Sequence, residues 1–204
     1  HPVPVVYGMT IAEYAQMING EKWLKNGIQC TLKIVPLKSY DRKAIYPLPV
    51  APSPNLPNMT AVNLYPSLCF FEGTNISMGR GTQWQFQIYG SPYLEKTAFT
   101  FTPKPNAGDK NPKYNGKVCY GEDLSHTPTL STLNLSWLIK AYEQTSAVKV
   151  NFFSSSFDKL AGNKTLKEQL LQHKSEKEIK ASWQDALEKF KKTRKKYLLY
   201  PSDF

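Results

Sequence analysis

The sequence predicts a mixed α+β fold, a short-stranded and mainly antiparallel sheet with several helices, including a long C-terminal one. Three observations predict it. Two capping boxes, Thr10-Ile11-Ala12-Glu13 and Ser175-Glu176-Lys177-Glu178, each open an apolar stripe at helical spacing. Trp84 to Tyr89 (WQFQIY) and Phe99 to Pro103 (FTFTP) alternate apolar with polar residues, as half-buried strands do. Stretches dense in Gly and Pro punctuate the chain between them and keep the strands short.

Taken in order, His1 to Val6 is an extended lead-in. Thr10 then caps a helix with Ile11, Tyr14, Ala15 and Ile18 on one face, stopped at Asn19-Gly20. The capping box accounts for Glu13 without a catalytic role. Cys30 to Leu37 (CTLKIVPL) predicts a short strand ended by Pro36. Pro47, Pro49, Pro52, Pro54 and Pro57 forbid helix and most ladder pairing, so this stretch reads as a rigid surface strap or as an SH3-type ligand. Asn58 to Leu68 has room for one or two helical turns before Pro66, and Leu68 to Phe71 follows as an apolar run suited to a buried strand.

Beyond the WQFQIY strand, Gly90-Ser91-Pro92 turns the chain, and Asn106 to Asn115 is a long loop. Lys117 to Gly121 predicts another strand, leading into Glu122-Asp123, whose adjacent side chains would face opposite sides of a sheet. A solvated turn suits that pair better than a site, and His126 suits a loop. Thr132 to Gln144 is helical, then Val148, Val150 and Phe152 suggest a strand. Short helices follow at Ser155 to Ala161 and Thr165 to Gln172, and the helix from Ser175 presents Ile179, Trp183, Ala186, Leu187 and Phe190.

At 204 residues the chain suits one domain, or a domain with a helical appendage. No apolar run approaches the roughly 18 residues of a membrane span, so a soluble protein is expected. Its net charge is +10, and the segment from Lys164 to Phe204 holds eleven basic and six acidic residues. The KKTRKK run (Lys191 to Lys196) reads as the solvated C-terminal end of a helix, where cations are favourable, rather than as a nucleic-acid arm. Cys30, Cys69 and Cys119 are far apart, with no CxxC and no neighbouring His pair, which argues against a metal site and against a disulfide framework. The sequons at Asn58, Asn75, Asn134 and Asn163 are read as chance occurrences.

The stretch with the composition of a site is Leu68 to Thr82, LCFFEGTNISMGRGT. An apolar run delivers Glu72 into a loop that Gly73, Gly79 and Gly81 allow to turn tightly, with Thr74, Asn75, Ser77, Arg80 and Thr82 supplying donors and acceptors. A polar ligand site is built this way. A Gly-rich connection with a satisfied Glu72–Arg80 pair is the alternative that the same residues support.

Gly8-Met9-Thr10-Ile11, PSPNLPN (Pro52 to Asn58), LYPSLCFFEGTNISMGRGT (Leu64 to Thr82), FQIYGSP (Phe86 to Pro92), Phe101-Thr102-Pro103 and CYG (Cys119 to Gly121) occur in that order. FDKLAG (Phe157 to Gly162) and ASWQDALEKFKKTRKKYLLYP (Ala181 to Pro201) follow. This array resembles the C-terminal half of the NamZ-type exo-β-N-acetylmuramidases, peptidoglycan glycoside hydrolases long known only as a domain of unknown function.

The resemblance implies that residues 1–204 form the C-terminal subdomain of a two-subdomain enzyme, with the family's N-terminal Rossmann-like subdomain outside this chain. It implies removal of terminal N-acetylmuramic acid from peptidoglycan glycans in the full-length protein, a periplasmic or secreted location, and no metal or organic cofactor. Glu72 is then the candidate catalytic carboxylate, its partner lying in the other half, because glycoside hydrolysis generally needs two. Arg80 is the candidate for the lactyl carboxylate of muramic acid, with Thr74, Asn75 and Thr82 as further sugar contacts. Tyr7 departs from the family, where histidine commonly precedes Gly-Met-Thr. A non-catalytic cell-wall or carbohydrate-binding module is the alternative function.

Overall fold

The computed structural model describes residues 1–201. Its helices are α1 (Ile11–Gly20), α2 (Met59–Leu68), α3 (Ser136–Ala147), α4 (Phe157–Ala161), α5 (Thr165–Leu171), α6 (Glu176–Ser182) and α7 (Gln184–Lys195). Strands β1 (Ile88–Ser91), β2 (Thr100–Phe101) and β3 (Cys119–Asp123) form one antiparallel sheet in the order β1-β3-β2. The mixed α+β class predicted from the sequence is the class observed. Contacts divide the chain into two compact units, one of His1–Tyr46 with Lys180–Phe204, the other of Pro47–Ile179.

In the larger unit the register pairs Ile88 with Asp123, Gly90 with Gly121, and Phe101 with Cys119. A side chain at Gly121 would run into the Tyr89 carbonyl, and one at Gly90 into that of Tyr120, so both glycines are needed for the strands to meet. Gly90-Ser91, expected to turn the chain, lies inside β1. The WQFQIY segment becomes a strand only at Ile88: Trp84 is exposed, Gln85 and Gln87 are buried, and Phe86 takes a positive φ of 53°. Alternation there reflected a tight turn that buries amides.

Leu68 to Phe71, expected as a strand, is helical. Asn58 caps α2 by accepting from the Ala61 N–H, and the helix runs past Pro66 and tightens into a 3-10 turn at Cys69–Gly73. Buried Leu64, Ser67, Leu68 and Phe71 carry the 3.6-residue period that Pro66 obscured. Val148 to Phe152 forms no strand; its nearest feature is an isolated bridge between Phe153 and Thr74. The sequon asparagines have structural work: besides Asn58, Asn134 accepts from Ser136 and Asn163 from Thr165, each two residues on.

In the smaller unit the first capping box forms as predicted, with the Thr10 N–H donating to Glu13 at 2.7 Å. The buried face of α1 is Glu13 and Met17, however, while Ile11 is 86% exposed. Cys30 to Leu37, expected as a strand, joins no ladder and is almost wholly exposed, its Cys30 backbone held instead by the Asn19 side chain. The second capping box also forms, at Ser175 and Glu178. The predicted long C-terminal helix is two helices, α6 and α7, separated at Trp183. Its basic end is only partly solvated: Arg194 is buried and donates to the Gly8 carbonyl at 2.6 and 3.1 Å, and Lys196 pairs with Glu21 at 3.0 Å. Among the described residues no helix is long and apolar enough to cross a membrane.

Candidate functional site

The candidate site lies within the larger unit, where the 3-10 turn after α2 presents Glu72 at its end. Arg80 sits between Gly79 and Gly81, whose φ values of +80° and +82° belong to the left-handed region. A side chain at Gly81 would meet Pro112 Cβ at 2.6 Å and the Lys104 carbonyl at 2.8 Å. Glycine there therefore lets a second loop lie directly on the first. Two hydrogen bonds fasten them, from the Lys104 N–H to the Gly81 carbonyl at 2.8 Å and from Asn106 Nδ2 to the Thr82 carbonyl at 3.1 Å.

That second loop supplies two charges. Arg80 Nε lies 3.1 Å from Asp109 Oδ2, and Arg80 Nη1 donates to Glu72 Oε2 at 3.4 Å. Lys113 reaches underneath and donates to the carbonyls of Phe71, Thr74 and Ile76. Burial pushes its ammonium down to about 8; the Arg80 charge acts in the same direction and Glu72 opposes it. Two acids and two bases thus share one loop pair. Glu72, Arg80 and Asp109 keep 27%, 34% and 20% of their side-chain surface in contact with solvent, so a ligand can reach them.

Tyr65 and Cys69, on the helical turns leading to Glu72, feel the same carboxylate. Burial first, and the Glu72 charge second, raise the Tyr65 phenol and push the Cys69 thiol up to about 11. Cys69 is accordingly a thiol, not a nucleophilic thiolate, at neutral pH.

The structure brings Glu72 and Arg80 together and turns the other candidates inward. Thr74 is buried; its hydroxyl donates to the Phe71 carbonyl at 3.0 Å and accepts from the Ile76 N–H at 3.1 Å. Asn75 Nδ2 donates to the Asn151 carbonyl at 3.0 Å. The Thr82 hydroxyl donates to the Gly79 carbonyl at 2.7 Å and accepts from the Trp84 N–H at 3.0 Å. These three side chains shape the loop that holds Arg80. Glu122 belongs elsewhere: it accepts from Tyr89 at 2.5 Å and pairs with Lys140 at 2.8 Å, across β1, β3 and α3. Asp109 and Lys113 are what the sequence reading missed. Their signal was a long loop carrying opposite charges around Gly108 and Pro112, but nothing in one sequence says which loop it covers. Among the described residues, no group of three or more His, Cys, Asp or Glu side chains is placed to hold a metal ion.

Comparison with known proteins adds identity to this geometry. Residues 63–200 match the family described as exo-β-N-acetylmuramidase NamZ, C-terminal, and residues 1–60 match its N-terminal counterpart. The family match thus changes over near residue 61, whereas the sequence reading took the chain as one subdomain. The peptidoglycan β-N-acetylmuramidase NamZ of Bacillus subtilis strain 168 is 34% identical over 226 residues, covering 98% of this chain and 52% of the relative. A DUF1343-family protein of Bacteroides fragilis NCTC 9343, known from its crystal structure, has a TM-score of 0.92 and 43% identity, covering 100% of this chain and 58% of that one. A second crystal structure from the same family and strain, 18% identical with a TM-score of 0.76, shares the fold over 98% of this chain. The chain spans about half the length of the curated relative it matches. On both the family match and the pairwise identities, it belongs to the NamZ exo-β-N-acetylmuramidase family.

Proposed function

We propose that this chain supplies one wall of a glycoside-hydrolase site that removes terminal N-acetylmuramic acid from peptidoglycan glycans. Glu72 is the carboxylate at the scissile bond, and Arg80 receives the lactyl carboxylate of the sugar. The observation that carries this reading is the loose hold on Arg80 between two carboxylates. Asp109 pairs with Nε at 3.1 Å by charge, without a hydrogen bond among the described residues, and Nη1 donates to Glu72 at a loose 3.4 Å. A guanidinium held this loosely between two carboxylates can turn its planar fork to a bidentate anion. Asp109 is a second carboxylate at the site, but its place on Nε makes it an orienting group. The acid or base that completes the pair with Glu72 then belongs to polypeptide that the relatives carry beyond the matched part, the Rossmann-like subdomain of this reading. A cell-wall substrate carries with it a periplasmic or secreted location, and the released sugar suits muropeptide recycling.

The test uses two proteins: the chain itself, and a joined protein in which it replaces the matching 58% of the B. fragilis relative of 43% identity. Titrated with N-acetylmuramic acid and with N-acetylglucosamine, which lacks the lactyl group, the chain should prefer the former by about tenfold. Arg80→Gln should abolish the preference, and equal binding of the two sugars would remove the role given to Arg80. The joined protein should hydrolyse a chromogenic muramide and Glu72→Gln should stop it, with unchanged sugar binding. Binding by the chain with no turnover in the joined protein would favour a non-catalytic carbohydrate-binding module.

A further inference from the structure

The smaller unit presents an apolar surface that its own chain leaves in water. Of the 22 large apolar side chains that are exposed among the described residues, eleven lie within residues 1–46, though these make up under a quarter of the chain. Val35 is 82% exposed, Ile45 89%, Leu37 65% and Ile28 60%. Isolated exposed apolar residues are ordinary, but a concentration in one region marks an interaction surface.

The backbone beside them is prepared for pairing. Gln29 to Leu37 forms no helix, turn or ladder, has no positive φ, and has β-forming composition in Thr31, Ile34 and Val35. Its ends are pinned: Asn19 donates to the Cys30 carbonyl at 2.9 Å and accepts from the Cys30 N–H at 2.8 Å, and the Leu37 N–H donates to the Tyr200 hydroxyl at 2.8 Å. Between these pins, among the described residues, the backbone groups of Thr31 to Pro36 make no hydrogen bond within the protein. An exposed segment fixed at both ends, with its backbone groups unpaired, is a template for strand addition.

We propose that residues 28–37, together with Ile45, are the docking face for the remaining polypeptide of the family's N-terminal region, which adds an open sheet edge to Thr31–Val35 and covers the apolar side chains. Two findings choose this occupant over a second copy of the chain. Residues 1–60 carry the family's N-terminal description, and the chain spans only 52% and 58% of the relatives, which therefore possess further polypeptide. The proposal rests on family membership and not on the hydrolase reading.

Cys30 provides the readout, since it is exposed while Cys69 is half-buried and Cys119 buried. Alkylation of Cys30 should be about tenfold slower in the joined protein than in the chain alone, with amides 31–35 gaining protection from hydrogen exchange. Val35→Asp and Ile45→Asp should reverse both effects without changing the unfolding of the chain alone. Equal alkylation and exchange in the two proteins would overturn the proposal. So would Cys30 protection in the chain alone that rises with concentration alongside a dimer in light scattering, which would give the face to a second copy. A measurement independent of the joined protein is binding of anilinonaphthalene sulfonate to the chain: it should fall in the Val35→Asp, Ile45→Asp double variant, and unchanged binding would count against the face. Protection of Cys30 without muramide turnover would support the docking and remove the hydrolase reading.

Discussion

Among the described residues, Pro47–Ile179 buries 22 apolar side chains, whereas the unit of His1–Tyr46 and the chain from Lys180 buries two, Met17 and Phe190. The larger unit is ordered by removing apolar surface from water. The smaller one is ordered by charge. Glu13, fully buried, accepts from Arg42 Nη2 at 2.6 Å, the Thr10 N–H at 2.7 Å and the Leu199 N–H at 2.8 Å. The Gly8 carbonyl accepts from both Arg194 and Arg42, and Glu21 from Lys196 and Tyr197. An apolar core tolerates substitution and ignores pH; a buried ion network holds only while every partner is ionised and in place. The contrast teaches that residues at the two ends of the chain, Gly8, Glu13, Arg42, Arg194 and Leu199, form one electrostatic knot in place of a core.

Substitutions should separate the two modes. The largest effect is expected from Phe71→Ala, which empties a fully buried position stacked on Tyr89 at 5.1 Å and should cost about 4 kcal/mol. Hydrogen exchange should place that loss in residues 47–179. Glu13→Gln comes next. It keeps the shape and removes the charge that compensates Arg42, at a cost of about 3 kcal/mol. Protection should fall in α1 and at Leu199 while the sheet is unchanged; equal loss in both units would refute the division between core and knot.

Acid should reach the same knot without mutation. Burial pushes Glu13 up, but hydrogen bonds from Thr10, Arg42 and Leu199 outweigh it and hold the carboxyl below its ordinary value. Glu21 is lowered as well, by Lys196 and Tyr197. A depressed carboxyl contributes stability that is complete above the unfolded value, near 4.5, and is lost as pH falls through the folded value. Exchange protection in α1 is therefore expected to decline below about pH 4.5 before that of α2. Glu13→Gln should abolish most of that difference.

The charge knot also explains what the sequence made legible. Both capping boxes were readable because their partners lie three residues apart, and so was the Glu72–Gly81 loop, whose composition is local. Cys30 to Leu37 has the pattern of a strand, but pattern says nothing of whether a partner strand exists in the same chain. Glu13 was rightly assigned to structure, though a local reading saw only Thr10, and Arg42 and Leu199 come from far along the chain. Asp109 and Lys113 escaped for the same reason. Their role depends on one loop lying on another at Gly81, and a single sequence does not encode that contact in any local spacing. At Leu68 to Phe71 the information was present, and Pro66 masked it.

Lys113 gives the finest test, because it is a buried charge inside the unit otherwise held by its core. Its folded value, about 8, lies below the ordinary 10.5, so from about pH 7 upward the unfolded chain binds more protons than the folded one. Stability of the larger unit should accordingly rise with pH from there. Cys69 and Cys119 oppose the rise, since burial pushes their thiols up to about 11 and about 12 from an ordinary 9, and the folded state then holds the extra protons. The window in which Lys113 dominates is therefore about pH 7 to 8, below the range where unfolded thiols ionise. Urea midpoints of residues 47–179, followed by exchange protection, should climb across that unit of pH in the parent and stay flat in Lys113→Met. A flat parent profile would mean that the three carbonyls of Phe71, Thr74 and Ile76 hold the ammonium charged despite its burial. In that case even the core unit keeps a charge at its candidate site on the same terms as the knot.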